Sequence, residues 1–343
     1  MKRREFLKIS GGLSAQVMVG GSLLAVRRAE ADTGLPIAAL KAALDPEKDM
    51  VLIPVTKTSR QYDISFSKRT QLTPRVRVVA GSAAAVSTTI LWALNNGLGF
   101  AIRSGGHSYE GFSQSPDLVI DVRGMKGIKL ARDKKSVAIG SGSSLGSVYD
   151  ALASSHLAVP AGSCFPVGVA GHSLGGGFGL LGRPFGLACD GGEPNPDSVL
   201  MKAKSDYVTE AMTEQGILTL LNGLVKAPGE IAVLCDTYGG AINKVAADAT
   251  AFVHRANTKY VMQYYMQWDS AGATNANIAM MRTLYTSMRP FVSGGCYVNY
   301  CDLDLGDGYA KAYWGDNLPR LMKIKAELDP KNIFKHAQSV PLS

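Results

Sequence analysis

Glycine occupies positions 162, 168, 171, 175, 176, 177 and 179 of one continuous stretch, residues 162–179. Each glycine costs a helix roughly 1 kcal/mol relative to alanine, so this density predicts a non-helical segment. Backbone free of Cβ atoms can instead wrap tightly around a ligand. A shorter loop of the same character lies upstream, in Arg103-Ser104-Gly105-Gly106-His107-Ser108-Tyr109. Its paired glycines follow an apolar strand, so N–H groups can approach an anion while the hydroxyls add hydrogen bonds. By composition alone this loop is a phosphate-binding turn with His107 as a bystander.

A hydrolase reading competes inside the longer loop. Gly171-His172-Ser173-Leu174-Gly175 matches G-x-S-x-G, the nucleophile elbow of serine esterases, with His254 or His336 as base. The elbow needs a helix directly after the serine. Gly175 to Gly177, then Gly179, Gly182, Pro184 and Gly186, stand in that place and argue against it.

The 343 residues have room for one large domain or two ordinary ones, and 46% hydrophobic with 19% charged residues is a globular composition. Of the net charge of +8, half lies in residues 1–31, where Lys2, Arg3, Arg4, Lys8, Arg27 and Arg28 face only Glu5 and Glu30. The remainder is spread without basic runs or interleaved aromatics, which argues against a nucleic-acid partner. Cysteines 164, 189, 235, 296 and 301 are scattered and lack CxxC spacing, so neither a zinc site nor a disulfide framework is expected, and no metal is assigned.

Residues 1–31 read as an address. Arg3-Arg4-Glu5-Phe6-Leu7-Lys8 fits the twin-arginine pattern, and Ala29-Glu30-Ala31 offers a small-x-small cleavage site. The apolar run between them is too short and too rich in glycine for stable membrane insertion. Twin-arginine machinery carries folded proteins, so this route predicts a periplasmic or extracellular protein that acquires a cofactor before export.

Beyond the leader, residues 75–79 alternate at period two and predict a strand. Ser82 can cap a helix through Leu94, with Gly97 to stop it. Strands are expected at 99–103, 118–122 and 136–139, and a helix at 144–155. Residues 191–197 form a Pro/Gly breaker cluster that reads as a boundary. Past it we expect a helix at 217–225, strands at 260–268 and 295–300, and a terminal helix over 309–328 whose regular part Pro319 delays.

Both glycine loops together, followed by Gly186-Leu187-Ala188-Cys189-Asp190, resemble the FAD domain of the berberine bridge enzyme-like oxidases, within the vanillyl-alcohol oxidase superfamily. The resemblance extends to Tyr297-Val298-Asn299-Tyr300-Cys301-Asp302-Leu303-Asp304 and to Tyr313-Trp314-Gly315-Asp316-Asn317-Leu318-Pro319-Arg320-Leu321. The ending Asp329-Pro330-Lys331-Asn332-Ile333-Phe334, with Gln338-Ser339-Val340-Pro341, continues it.

That resemblance implies an α+β fold: a PCMH-type two-part FAD-binding domain plus a substrate domain built on an antiparallel sheet. The implied limits are 1–31 for the leader, 32–190 for the FAD domain, 191–300 for the substrate domain and 301–343 for a returning C-terminal segment. It implies bicovalent FAD, bonded through His107 at the 8α-methyl and Cys164 at ring carbon 6. Arg103, Ser104, Gly105, Gly106 and Ser108, with Gly168, Val169, Gly171, His172, Leu174, Gly175 and Gly179, would hold the rest of the cofactor, aided by Tyr313 and Asn317. Tyr300 would be the catalytic base, its phenol depressed from pKa 10 by a nearby cation or hydrogen bond. Gln263 would face substrate, and Val167 would gate molecular oxygen. The implied reaction oxidises an alcohol or carbohydrate hydroxyl, with oxygen as acceptor.

One departure accompanies the resemblance. After Asp190 relatives continue into further strands and another glycine-rich stretch against the flavin, whereas this chain runs almost directly to Lys204-Ser205-Asp206-Tyr207. The resemblance thus implies a FAD domain lacking part of its strands, joined to a truncated substrate domain. A degenerate, non-catalytic flavoprotein is the rival expectation.

Overall fold

The structure, a computed structural model, describes residues 34–53, 62, 64–185 and 199–342. The twin-arginine leader, the 186–190 motif with Cys189, and the 191–197 boundary lie outside the described residues. All that is described belongs to one compact unit, Thr33–Ser343.

Helix α1 (Ile37–Ala42) and strand β1 (Met50–Leu52) precede β2 (Val76–Val79), α2 (Ala83–Asn95), β3 (Phe100–Arg103) and β4 (Leu118–Asp121). The sheet order is β1-β2-β4-β3, with β2 and β3 each parallel to β4 and β1 antiparallel to β2. Parallel strands are covered on both faces, which is why every residue of β2 and β4 is buried rather than alternating. Ser82 caps α2 by accepting from the Ala85 N–H, and Gly97 leaves it at φ +63°. Ile37, Leu40, Val76, Val78, Leu118 and Ile120 form the core of this lobe.

Strands β5 (Ile128–Leu130) and β6 (Val137–Ile139) pair as an antiparallel hairpin, followed by α3 (Leu145–Ala153) behind the Ser144 cap. Contrary to expectation, the 162–179 stretch contains a short helix, α4 (Val169–Leu174). Its glycines explain this, because Gly168 stands at the N-cap and Gly175 at the C-cap, leaving only Gly171 inside. Helix α5 (Gly182–Phe185) ends this part of the description.

The second lobe comprises β7 (Leu200–Val208), α6 (Glu214–Val225), β8 (Glu230–Thr237), α7 (Ala241–Lys244), β9 (Tyr260–Trp268) and α8 (Thr274–Met288). Its sheet is antiparallel throughout in the order β7-β9-β8, with Leu200 opposite Trp268 and Val208 opposite Tyr260. Met262, Tyr264 and Met266 of β9 pack with Met281, Leu284 and Met288 of α8.

Two expectations need correction here. Residues 295–300 are not a strand. They run beside β7, but the Tyr297 N–H donates to the Ser205 hydroxyl instead of to a backbone ladder, and Gly294 turns at φ +87°. The terminal helix is two helices, α9 (Tyr309–Trp314) and α10 (Leu318–Leu328), separated at Gly315 with φ +48°. Pro319 breaks nothing; it sits in the first turn of α10, where its missing N–H costs no helical bond.

Candidate functional site

The two glycine loops meet backbone to backbone. A Cβ on Gly105 would lie 2.2 Å from the Gly168 nitrogen, and one on Gly168 would lie 2.3 Å from the Gly105 nitrogen. Ser104 ties the first loop to the segment preceding α3 by donating to the Ser141 carbonyl at 2.8 Å. Gly106, at φ +76°, passes directly over the Arg103 guanidinium. That guanidinium is fully buried and donates to the Ser65 hydroxyl and the Ile64 carbonyl, so Arg103 supports the loop from beneath. His107 stacks on Phe66 with ring centroids 5.0 Å apart. Burial, reinforced by the Arg103 charge, lowers its pKa to about 4, so the imidazole is neutral with a ring lone pair available.

His172 organises the longer loop from within. Its Nε2 accepts from the Gly162 N–H at 2.9 Å, and Cβ atoms on Gly162 or Gly177 would collide with its ring. Burial lowers its pKa to about 4, consistent with an acceptor nitrogen. Gly175 gives way to the Asn299 amide, whose Nδ2 donates to the His172 carbonyl, whereas open space faces Gly171. Val167 and Val169 pack beside Leu145 and Ala161, while Leu174 is exposed and Gly179 half-buried. Cys164 is exposed, although its neighbours remove enough water to push the thiol upward.

The esterase reading fails on geometry. Ser173 lies in the last turn of α4, not at a strand-to-helix turn. His254 stacks on Tyr207 with its Nε2 2.9 Å from the Ala312 carbonyl, and His336 stacks on Phe112.

Between the glycine loops and the β7-β9-β8 sheet lies an aromatic cluster. Tyr109 tilts against Phe66 at 6.0 Å and stacks on Tyr300 at 5.7 Å with an interplanar angle of 15°. Gln263, buried on β9, donates its Nε2–H to the Tyr109 hydroxyl at 2.9 Å. Cys164 is near enough to Tyr109 and Tyr265 to oppose ionisation of both. Cys164, Gln263 and Tyr300 thus gather around Tyr109, a residue quoted in the loop motif but given no role there, and His107 joins them through the shared Phe66 ring.

The expected depression of the Tyr300 phenol is not found. Burial raises its pKa well above 10, and Tyr109, Tyr297, Asp236 and Tyr238 all act in the same direction. An apolar aromatic surround disfavours a phenolate. Tyr313 and Asn317 are engaged in packing: Tyr313 accepts from the Asp302 N–H and donates to Gln338, and Asn317 donates to the Ala247 and Thr250 carbonyls. Ser108 lies 3.7 Å from the Cys301 sulfur and accepts from the Phe112 N–H.

A buried charge network escaped the sequence reading altogether. Lys202 Nζ reaches Glu110 at 2.7 Å and Asp302 at 2.6 Å, while Lys204 reaches Asp302 at 2.7 Å and Asp304 at 2.8 Å. Arg69 and Arg282 close the ends on Glu110 and Asp304. Burial works against the Lys202 charge, but Asp302 and Glu110 outweigh it and hold its pKa above normal.

A polar cavity of about 710 Å³ lies elsewhere, lined by Arg183, Glu210, Asn243 and Lys259 among others, and none of the expected site residues borders it. Among the described residues no group of His, Cys, Asp or Glu is arranged to hold a metal, and no helix is long and apolar enough to cross a membrane.

Comparison with known proteins gives two family matches: a FAD binding domain over residues 74–191, and the berberine and berberine-like segment over residues 296–341. Berberine bridge enzyme-like 6 of Arabidopsis thaliana is 23% identical over 465 aligned residues, covering 83% of this chain and 83% of that protein. That alignment is longer than the 343-residue chain, so stretches of the relative have no counterpart here. Berberine bridge enzyme-like 12 of the same plant is 39% identical over 167 residues, 43% of this chain and 31% of that protein. Among solved structures, wild-type BBE-like 1 of Physcomitrella patens superimposes with a TM-score of 0.81 at 22% identity, covering 89% of this chain and 99% of that chain. Phl p 4, described as a grass pollen allergen with glucose dehydrogenase activity, also gives 0.81, at 19% identity and the same coverage. These likenesses establish the shared α+β, PCMH-type fold.

Proposed function

We propose that the chain, which carries the FAD binding domain and the berberine-like segment, is a berberine bridge enzyme-like FAD-linked oxidoreductase that oxidises an alcohol or carbohydrate hydroxyl using covalently held FAD and molecular oxygen. The observation that carries the proposal is the contact between the two glycine loops, with Cys164 near Tyr109 and with His107 on Phe66, whose ring also packs against Tyr109. Their chemistry fits the group: His107 offers a neutral ring nitrogen and Cys164 an accessible thiol, so both can serve as attachment points. Gly105, Gly106 and Ser108, with Gly168, Val169 and Gly171, would hold the remainder of the cofactor. When bound, FAD would supply two-electron redox chemistry, with oxygen as the acceptor.

The protein's own task is to place the substrate and move one proton. Tyr300 would receive the hydroxyl proton, and its high pKa means that the phenolate required is scarce at neutral pH. Gln263 fixes the Tyr109 hydroxyl, which keeps the Tyr109 ring flat against Tyr300. Val167, three residues after Cys164, would set the access of oxygen. The glucose dehydrogenase activity of Phl p 4 makes a sugar hydroxyl the first substrate to assay. The leader proposes twin-arginine export to the periplasm or beyond, and exchanging both Arg3 and Arg4 for lysine should strand the protein in the cytoplasm; unchanged export would refute that route.

A second reading is favoured by the raised Tyr300 pKa together with the stretches absent relative to berberine bridge enzyme-like 6: a non-catalytic flavoprotein. Acid precipitation of purified protein, followed by turnover assays with sugars, separates the cases. A yellow pellet with turnover supports the oxidase, whereas a colourless pellet, or a yellow one without turnover, supports the second reading and refutes the first.

A further inference from the structure

Two segments supply the stacked tyrosines, and neither is held by regular secondary structure. Tyr109 lies in the turn after the first glycine loop, and Tyr300 in the irregular 295–300 run. Each is followed closely by a buried carboxylate: Glu110 directly after Tyr109, and Asp302 two residues after Tyr300. Lys202, on β7, hydrogen-bonds both carboxylates through one ammonium group, at 2.7 and 2.6 Å. All three side chains are at most 3% exposed. The remaining oxygens are also occupied, since Arg69 binds Glu110 and Lys204 binds Asp302. The Asp302 backbone is pinned by Tyr313 and Gln338.

Buried ion pairs often contribute little net stability compared with apolar residues of the same volume, while their directional bonds can select one geometry. A lysine bridging two carboxylates from different segments specifies the separation of those segments.

We infer that Lys202 is a positioning residue: by binding Glu110 and Asp302 together it sets the stack of Tyr109 on Tyr300, and so the placement of the Tyr300 hydroxyl. The inference deepens the proposed function, since the stack matters to turnover only if Tyr300 meets substrate.

The test reads the stack independently of activity. Full-length protein labelled with fluorotyrosine is examined by fluorine NMR, with Tyr109→Phe, Tyr300→Phe and Tyr149→Phe assigning three resonances and Tyr149, which packs against Phe165 and touches neither Lys202 nor its carboxylates, serving as the control. In Lys202→Met the Tyr109 and Tyr300 resonances should shift while Tyr149 stays, and Lys202→Arg should restore them in part. If Lys202→Met does not fold, Glu110→Gln is read instead and should shift the same pair less. Parent positions for both resonances in whichever variant folds overturn the inference. In enzyme that turns over, the same variant should lose kcat by roughly 10²-fold while KM holds. Parent protein without turnover would sink the functional reading and leave the fluorine result to decide the positioning claim.

Discussion

Gly105 and Gly168 touch through their backbones, and neither loop could approach the other if either residue carried a side chain. This contact brings the His107 and Cys164 loops together. Gly168→Ala would put a Cβ 2.2 Å from the Ser104 hydroxyl and 2.3 Å from the Gly105 nitrogen. Overpacking of this kind costs about 1–3 kcal/mol and forces the loops apart. We expect a folded protein with reduced covalent flavin, read as absorbance of the acid-washed pellet per mole of chain. Parent flavin content in Gly168→Ala would contradict this.

The Tyr300 environment predicts an alkaline profile. Because burial raises the phenol above its ordinary value of 10.0, the phenolate fraction grows about tenfold per pH unit through the neutral and mildly alkaline range. Flavin reduction by substrate should therefore climb without a plateau below pH 10. Tyr300→Phe should slow it by roughly 10²- to 10⁴-fold. A plateau near neutrality, or a parent rate in the phenylalanine variant, would move the proton elsewhere.

Acid should destabilise the fold in a defined window. His107, His172 and His254 have folded pKa values of about 4 against an ordinary 6.5, so the unfolded chain takes up protons first. Stability from their neutral forms is present above pH 6.5 and lost as pH falls toward 4, by up to about 1.4 kcal/mol per pH unit per histidine. Melting temperatures between pH 7 and 4.5 should fall less steeply for His172→Gln than for the parent. Equal slopes would mean that His172 is not held neutral by its loop.

Much of the first lobe was legible because its signals are local: alternation in β2, the Ser82 cap of α2, and glycine where backbones must touch. Strand β9 was legible from its aromatic run. What escaped depends on partners distant in sequence. Helix α8 begins without a side-chain cap, and β8 is an outer strand of mixed polarity. Residues 295–300 look like a strand until Ser205 supplies the bond that a ladder would have made. Lys202 and Glu110 are 92 residues apart, so nothing local marks them as partners. The Tyr300 pKa likewise depends on which rings the fold gathers around it.

Oxygen access is testable at Val167, which packs beside Leu145 and Ala161. One added methylene in a close-packed site can fill the space a diatomic molecule would use. Val167→Leu should slow reoxidation of the reduced protein by aerated buffer while leaving reduction by substrate unchanged. Equal reoxidation rates would show that no gate operates at this position.

The two-point attachment of FAD is tested most directly by proteolysis and peptide mass mapping of the purified protein. The account predicts FAD bonded to the peptide containing His107 and cross-linked through the same flavin to the peptide containing Cys164. Recovery of both peptides unmodified from a yellow, active preparation would contradict it.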